Sequence, residues 1–318
     1  MGQQSLEASG FERYRKKTRK EIFLDQMNEI MPWSELCNAI EPFYPKPSKQ
    51  GGRPTIGVDR MLRIHFLQHW FELSDPGAEE ALYDSRAMRQ FVGIDLGKEP
   101  VPDETTICKF RHMMERHNLG GELFQLVNLY LEENGLKLNR GTIVDATIID
   151  APRSTKNEKR QRDLDMASTQ KGNQWYFGMK AHIGVDSQSK LIHSIVVTSA
   201  NVHDSQVLGD LLHGEERRVY GDSAYIGQKD QIRANAKQAK DFTHKRGHRT
   251  NPLTQKDRKS NRYKSTIRSR VEHLFGVIKQ QFGYRKVRYK GLLKNAQAVF
   301  MKCALANIVV AKHHLMTL

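Results

Sequence analysis

Paired cysteine is what this chain most plainly lacks. Cys37, Cys108 and Cys303 stand far apart and in no ligand-like spacing, so neither a disulfide framework nor a zinc cluster is indicated. Long apolar runs are missing too: the longest candidate, Ala304 to Ala311, is far short of a bilayer crossing and contains Asn307. Met1-Gly2-Gln3-Gln4-Ser5 has neither the basic nor the apolar region of a secretory signal. No tandem repeat is visible. The expected protein is cytoplasmic, with no membrane partner. At 318 residues and 38% hydrophobic content the chain is long enough for two domains, one with a sizeable core.

Negative charge is the other shortage, and it is local. Residues 229–290 hold nineteen Lys/Arg and four Asp/Glu, whereas the rest of the chain has thirty-two of each, so the net charge of +15 comes from one stretch. Such asymmetry is the electrostatic footprint of nucleic-acid binding. An anionic membrane would attract it as well, but no amphipathic helix with an aromatic face accompanies it. From Arg258 to the C-terminus there are fourteen Lys and Arg residues and one carboxylate, Glu272. It lies in Ile267–Lys279, a run with helical periodicity. An i,i+4 ion pair with Arg268 would account for it, at about 0.3–0.5 kcal/mol on an exposed helix. The alternative is a metal ligand held against a phosphate backbone, with Arg268 and Lys279 on the same helical face gripping the nucleic acid.

Along the chain, residues 1–54 read as a basic arm and linker, with a cluster from Arg13 to Lys20 and a break at Pro42, Pro45, Pro47 and Lys49–Pro54. Gly52-Arg53-Pro54 is a simple linker, or a segment whose Arg53 lies in a DNA minor groove. Residues 55–138 are helical. Met61 to Phe71 fits one amphipathic helix and Glu79 to Phe91 a second, and Asp103 reads as the N-cap of a third whose exposed side carries Lys109, Arg111 and His112. Short helices with a capped basic member suggest a helix-turn-helix-like module that binds DNA; a purely structural bundle is the alternative. Trp33, Trp70 and Trp175 read as packing residues rather than base-stacking platforms.

From residue 139 the pattern changes. Thr142 to Ile149 is β-branched and reads as a buried strand interrupted by Asp145. Residues 152–174 look like a loop, 176–185 and 191–198 like paired strands, and 203–213 like a helix. A short strand over 217–222 ends on Asp222. A helix over 228–240, a strand near 241–245 and a long helix over 267–282 complete a mixed sheet flanked by helices. A charged Asp inside an apolar strand must lie at a sheet end, be paired, or bind a cation. In this order the first and fourth strands can be neighbours, which would set Asp145 beside Asp222, and the last helix could deliver Glu272. Three carboxylates suit two Mg²⁺ ions about 3.5–4 Å apart acting on a phosphodiester.

At this point the chain resembles the DDE transposases of bacterial insertion sequences, specifically the insertion-sequence-5 family. The matching stretches are Thr18–Leu24, Met61–His65 with Gln68-His69-Trp70, Val144–Ile149, Lys171–Trp175 with Gly178–Asp186, and Arg270-Val271-Glu272-His273 with Arg288–Asn295. The resemblance implies an RNase H-like catalytic domain over 139–318, behind the all-helical N-terminal DNA-binding domain. It matches Asp145, Asp222 and Glu272 to three metal-binding acids, served by two Mg²⁺ with Mn²⁺ able to substitute. The related signature Tyr-x2-Arg-x3-Glu-x6-Lys falls on Arg268, Glu272 and Lys279, with Ser265 where the tyrosine would stand. Only 49 residues separate Asp222 from Glu272, too few for the large insertion of relatives that cut through a DNA hairpin. Lys180 and His182 match a Lys-x-His element, expected near the active site or a phosphate, with surface structural roles as the alternative. His203-Asp204 resembles another recurrent pair, although Asp204 would also serve as a helix cap. The implied activity is binding of terminal inverted repeats, cleavage there, and joining of the 3′-hydroxyls to target DNA by a dimer or larger synaptic complex at the nucleoid. Another metal-dependent nuclease of the same fold, or a DNA-binding regulator without catalysis, are the rivals.

Overall fold

The β-branched run around Asp145 forms the centre of the sheet. The computed structural model describes residues 16–46, 55–136, 138, 141–156, 158 and 160–318. In it Thr142–Asp150 is β1, flanked by antiparallel β3 (Gln174–Asp186) and parallel β5 (Arg218–Tyr220). Beyond β3 lie β2 (Ala167–Lys171) and β4 (Ile192–Ser199), both antiparallel to it, and β6 (Lys240–Asp241) runs parallel outside β5. The sheet is mixed, in the order β2-β3-β1-β5-β6 with β4 on β3. Close approach at the β1–β3 crossing is made possible by Gly178, where a Cβ would come within 2.1 Å of the Ile149 carbonyl oxygen.

Several expectations about elements need correction. β2 falls inside the stretch read as a loop; it is largely exposed and carries no apolar alternation to betray it. The segment 203–213 is not one helix but two 3₁₀ turns, Asp204–Val207 and Gly209–Leu211, broken where Gly209 is a poor helix former. The last long helix starts much earlier than residue 267, because Thr254 and Asp257 form a reciprocal capping box.

Residues before 54 are not only arm and linker. Thr18 caps α1 (Arg19–Ile30) and α2 (Trp33–Ile40) follows; between them they bury Leu24, Met27, Ile30, Leu36 and Ile40. Arg53 and the start of the basic cluster lie outside the described residues. Then come α3 (Val58–Phe71), α4 (Asp75–Asp84) and α5 (Arg86–Val92). The expected helix over 79–91 is split because Ser85 accepts a hydrogen bond from the Met88 amide and restarts the chain. Next are α6 (Glu104–Arg116), capped by Asp103 as anticipated, and α7 (Leu119–Glu133).

Between β5 and β6 lies α8 (Lys229–Asn235), and after β6 come α9 (Gln255–Gly276) with a π turn at Val277–Gln281, and α10 (Leu292–Leu315). One continuous apolar core joins α1 to α7, α9, α10 and the sheet face bearing Ile143, Ile149, Met179 and Ile183. A smaller core covers the other face with Val144, Val207, Leu211, Tyr225 and Ile232.

Asn307, the polar interruption of the long apolar run, explains itself here. Its side chain accepts from the Ile192 amide at 2.8 Å and donates to the Ile192 carbonyl and Asn128, pinning α10 to β4 and α7. Asn307→Ala should lower unfolding free energy by roughly 1–3 kcal/mol for each buried group orphaned. Urea denaturation measures this; an unchanged midpoint would show that water replaces the amide.

Candidate active site

Asp145 and Asp222 reach each other through strand register. β1 and β5 pair Thr142 with Val219 and Ile143 with Tyr220. Two residues further along each parallel chain stand Asp145 and Asp222, so the two acids come level at the point where β5 ends. Asp222 is anchored by its backbone role: its Oδ1 accepts from the Ala224 amide at 2.7 Å and caps the turn Ser223–Tyr225. Asp145 is half-buried. Its Oδ1 accepts from the Ala146 amide at 2.9 Å and its Oδ2 from Arg268 Nη2 at 3.2 Å. Burial pushes the Asp145 carboxyl above the usual carboxylate range; the Arg268 guanidinium and the Ala146 amide pull it back, and the like charge of Asp222 raises it again.

Glu272 lies on α9 one turn beyond Arg268, exposed to solvent and without a hydrogen bond or ion pair among the described residues. Among those residues no three His, Cys, Asp or Glu side chains form a closed metal-ligand group. Two of the three acids are therefore brought together, and the third is exposed on α9. The donor chemistry fits a hard divalent cation: two adjacent carboxylates that repel each other, and a third on an exposed side chain one helical turn from the arginine that bonds Asp145.

The remaining candidates are distributed less simply. Arg268 and Lys279 both reach β1, Arg268 at Asp145 and Lys279 through a 2.7 Å hydrogen bond from Nζ to the Ile148 carbonyl. Lys180 and His182 do not approach the acids. His182 pairs with Ala146, the residue after Asp145, so both side chains project from the opposite face of the sheet. There Lys180 Nζ donates to Asp204 at 2.8 Å, and His182 is fully buried, its Nε2 at 2.9 Å from Thr198 Oγ1. Burial holds the His182 imidazole well below its usual pKa, so it is neutral. Asp204 is thus the partner of Lys180, and the side chain that caps the turn is His203.

Lys109 is exposed on α6, but the expectation for Arg111 fails. It is buried, paired with Asp75 and Glu115 at 2.7 Å each and stacked 4.4 Å from the Tyr289 ring centre. Positions i and i+2 lie some 200° apart around a helix, so Lys109 and Arg111 could not share an exposed face.

Two residues escaped the sequence reading. Tyr225 is fully buried with its hydroxyl unpartnered among the described residues, and its phenol is raised first by burial and then by Asp204, Asp145 and Asp222. His244 donates its backbone amide to the Gly221 carbonyl at 3.1 Å, beside Asp222. It lines a cavity of about 560 Å³ with Ser223, Ile226, Arg246 and Lys264. The turn Gly221-Asp222-Ser223 was the only signal for either.

Residues 137–308, more than half the chain, match the family described as Transposase DDE domain. The chain belongs to the DDE transposase family. Residues 11–113 of the transposase match a second description, Transposase domain (DUF772). It also aligns with a cryo-EM structure of the piggyBac transposase synaptic complex with hairpin DNA, over 93% of this chain and 75% of that one, at 9% identity and a TM-score of 0.48. That likeness is too distant to support any step below. The protein is a DDE-type transposase, an enzyme of transposition that acts on DNA.

The raised Asp145 carboxyl has a consequence for stability. Its folded-state pKa lies above the unfolded value, so keeping it ionised at neutral pH costs stability, and the cost is relieved as pH falls through the raised pKa. Asp145→Asn should therefore melt higher than the wild type at pH 7, the gap narrowing in acid. Melting curves across that range decide it, and a lower melting point at pH 7 would count against the assigned burial cost.

Proposed function

We propose that this transposase belongs to the insertion-sequence-5 group, binds the terminal inverted repeats of its element, cleaves there with Mg²⁺, and transfers the freed 3′-hydroxyl strands to target DNA. The observation that carries this is the β1–β5 register with Arg268 reaching Asp145 from α9: two acids and a guanidinium from distant segments meet at the end of a sheet. The reading takes the sheet as RNase H-like, with β1 central, β3 antiparallel and β5 parallel beside it. It takes the helices before residue 139 as the module that holds the ends, and the cell's nucleoid as the place of action.

On this reading Asp145, Asp222 and Glu272 would hold two Mg²⁺ ions, or Mn²⁺ in their place. When bound, these supply a polarised attacking oxygen and neutralise charge at the scissile phosphate. The chain's own groups do the rest. Arg268 leaves Asp145 for a phosphate oxygen once the strand arrives, which frees the carboxylate. Lys279, held at Ile148 just beyond Asp145, sets the neighbouring phosphate and fixes the direction of the strand. Asp222 stays oriented by the Ala224 amide throughout. No side chain forms a covalent bond with DNA. Two ends require two active sites in one assembly, so a dimer or larger complex is part of the proposal.

Purified protein incubated with labelled element ends, with and without Mg²⁺, is the test. Asp145→Asn, Asp222→Asn and Glu272→Gln should each reduce end cleavage by at least about a hundredfold while binding is retained, the scale of losing one preorganised electrostatic element. Cutting that survives all three would remove the acids from the mechanism. Products with nicked ends and no joining to a supercoiled target would indicate a nuclease instead. Lys279→Ala should lower the magnitude of the salt slope of end binding by about 0.9 for its phosphate contact.

A further inference from the structure

β1 pairs with β3 only from Gly178 onward, and β4 only from Met179, so the strand neighbour of Gln174–Phe177 is β2, with the Ala151 amide donating to the Phe177 carbonyl at 2.7 Å where the arm begins. This stretch and β2 form a two-stranded arm beyond the sheet, closed by Gly172 in the left-handed conformation at φ 60°. A lone hairpin is marginally stable in water. The arm keeps its shape from its base, where Phe177 and Met166 are buried and Arg162 lies 5.2 Å from the Phe177 ring centre.

The tip carries a different set: Lys171, Asn173 and Gln174 are exposed, and Trp175 is 59% exposed. Elsewhere the chain packs its indoles. Trp70 is buried, and Trp33 lies against Phe66 with Arg63 stacked 3.9 Å from its ring centre. An exposed Trp forgoes one of the largest apolar gains a side chain offers.

Exposed cations lie at the tip of the arm and along its flank. Arg153 Nη2 donates to the Trp175 carbonyl at 2.6 Å, leaving an exposed arginine at the arm's flank. Lys171 and Arg285 both lie close enough to Lys279 to disfavour its charge, with Asp150 the acid among them. Lys279 in turn touches Ile148, three residues past Asp145 and thus roughly 10 Å along the strand. Asp145 pairs with Ile183, and Trp175 stands eight residues away along β3, roughly 26 Å, so at about 3.4 Å per nucleotide a DNA strand leaving the acids would reach the indole after roughly eight steps.

We propose that Trp175 stacks on a base of the DNA strand that crosses the acids, about eight nucleotides from the scissile phosphate, with Lys171 and Arg153 on the adjoining phosphates. An aromatic face among cations is the stacking platform of single-strand and distorted-duplex binding, and it tolerates any base. The basic rim selects a polyanion as occupant. The position along the DNA rests on the proposed role of the acids; the stacking itself does not.

The full-length protein is titrated with duplexes bearing a terminal inverted repeat and 2-aminopurine at successive positions, and with oligo-dT as a sequence-independent probe. Binding should quench tryptophan emission and alter 2-aminopurine fluorescence at one position about eight nucleotides from the cut. Both signals should vanish in Trp175→Ala, with affinity lowered about five- to a hundredfold. Trp175→Phe should lose the emission change yet recover most of the affinity, since a ring remains. Because the side chain is exposed, both variants should melt as the wild type does. Undiminished affinity in Trp175→Ala would overturn the proposal. So would emission that responds to protein concentration and not to DNA, which would assign the arm to a contact between copies of the chain. A wild type that cuts ends without the Trp175 signal overturns the stacking alone; one that gives the signal and never cuts supports the stacking and overturns the proposed chemistry.

Discussion

Two carboxylates set level in a poorly solvated sheet end repel each other unless positive charge stands beside them. That constraint organises this protein. Asp145 is placed by the apolar strand it interrupts, Asp222 by the end of the neighbouring parallel strand, and neither position is negotiable without shifting the sheet. Arg268 supplies the counter-charge in the structure, reaching over from α9. On the proposed mechanism the arginine would pass to the DNA, leaving the Asp145 carboxylate free to hold a divalent ion. A single site on Asp145 would then be shared in turn by guanidinium and metal, which couples arrival of substrate to assembly of the ligand set.

The helices serve this arrangement from outside. α9 must lie across the face that bears Asp145, and it is seated by Val271 and Leu274 in the main core, with Lys264 bonded to the Thr243 carbonyl at its early end and Lys279 to Ile148 after its last turn. α10 follows and is buried along most of its length, joining the N-terminal helices to the sheet through Asn307 and through Lys302, whose Nζ bonds Glu72 and the His69 carbonyl. The two sequence families matched by the chain are therefore not separate bodies in space: one apolar core runs through both.

The opposite face of the sheet carries its own polar cluster. Lys180, Asp204 and His182 interlock there, with Tyr225 beneath the acids and its hydroxyl unpaired among the described residues. Placed behind β1, these groups bear on the acids through the strand and not through contact. The Lys-x-His pattern was visible in the sequence, but its direction was not, because a period of two gives a face without saying which. The same limit misled the reading of Arg111, where a charged residue on a helix was taken as exposed when Asp75 and Glu115 neutralise it inside.

The sequence by itself determined the sheet's central strand and the basic stretch, because these depend on composition and periodicity along the chain, and its resemblance to known motifs pointed to the transposase family. It missed β2 and the early start of α9, where exposed polar residues carry no periodic signal and a capping box of two small polar residues is the only mark. Only the tertiary structure decided which groups face which. Register brought Asp222 to Asp145, packing left Glu272 exposed on α9, and α10 packed against the N-terminal helices. Those outcomes depend on contacts between residues a hundred or more positions apart, and no local pattern encodes them.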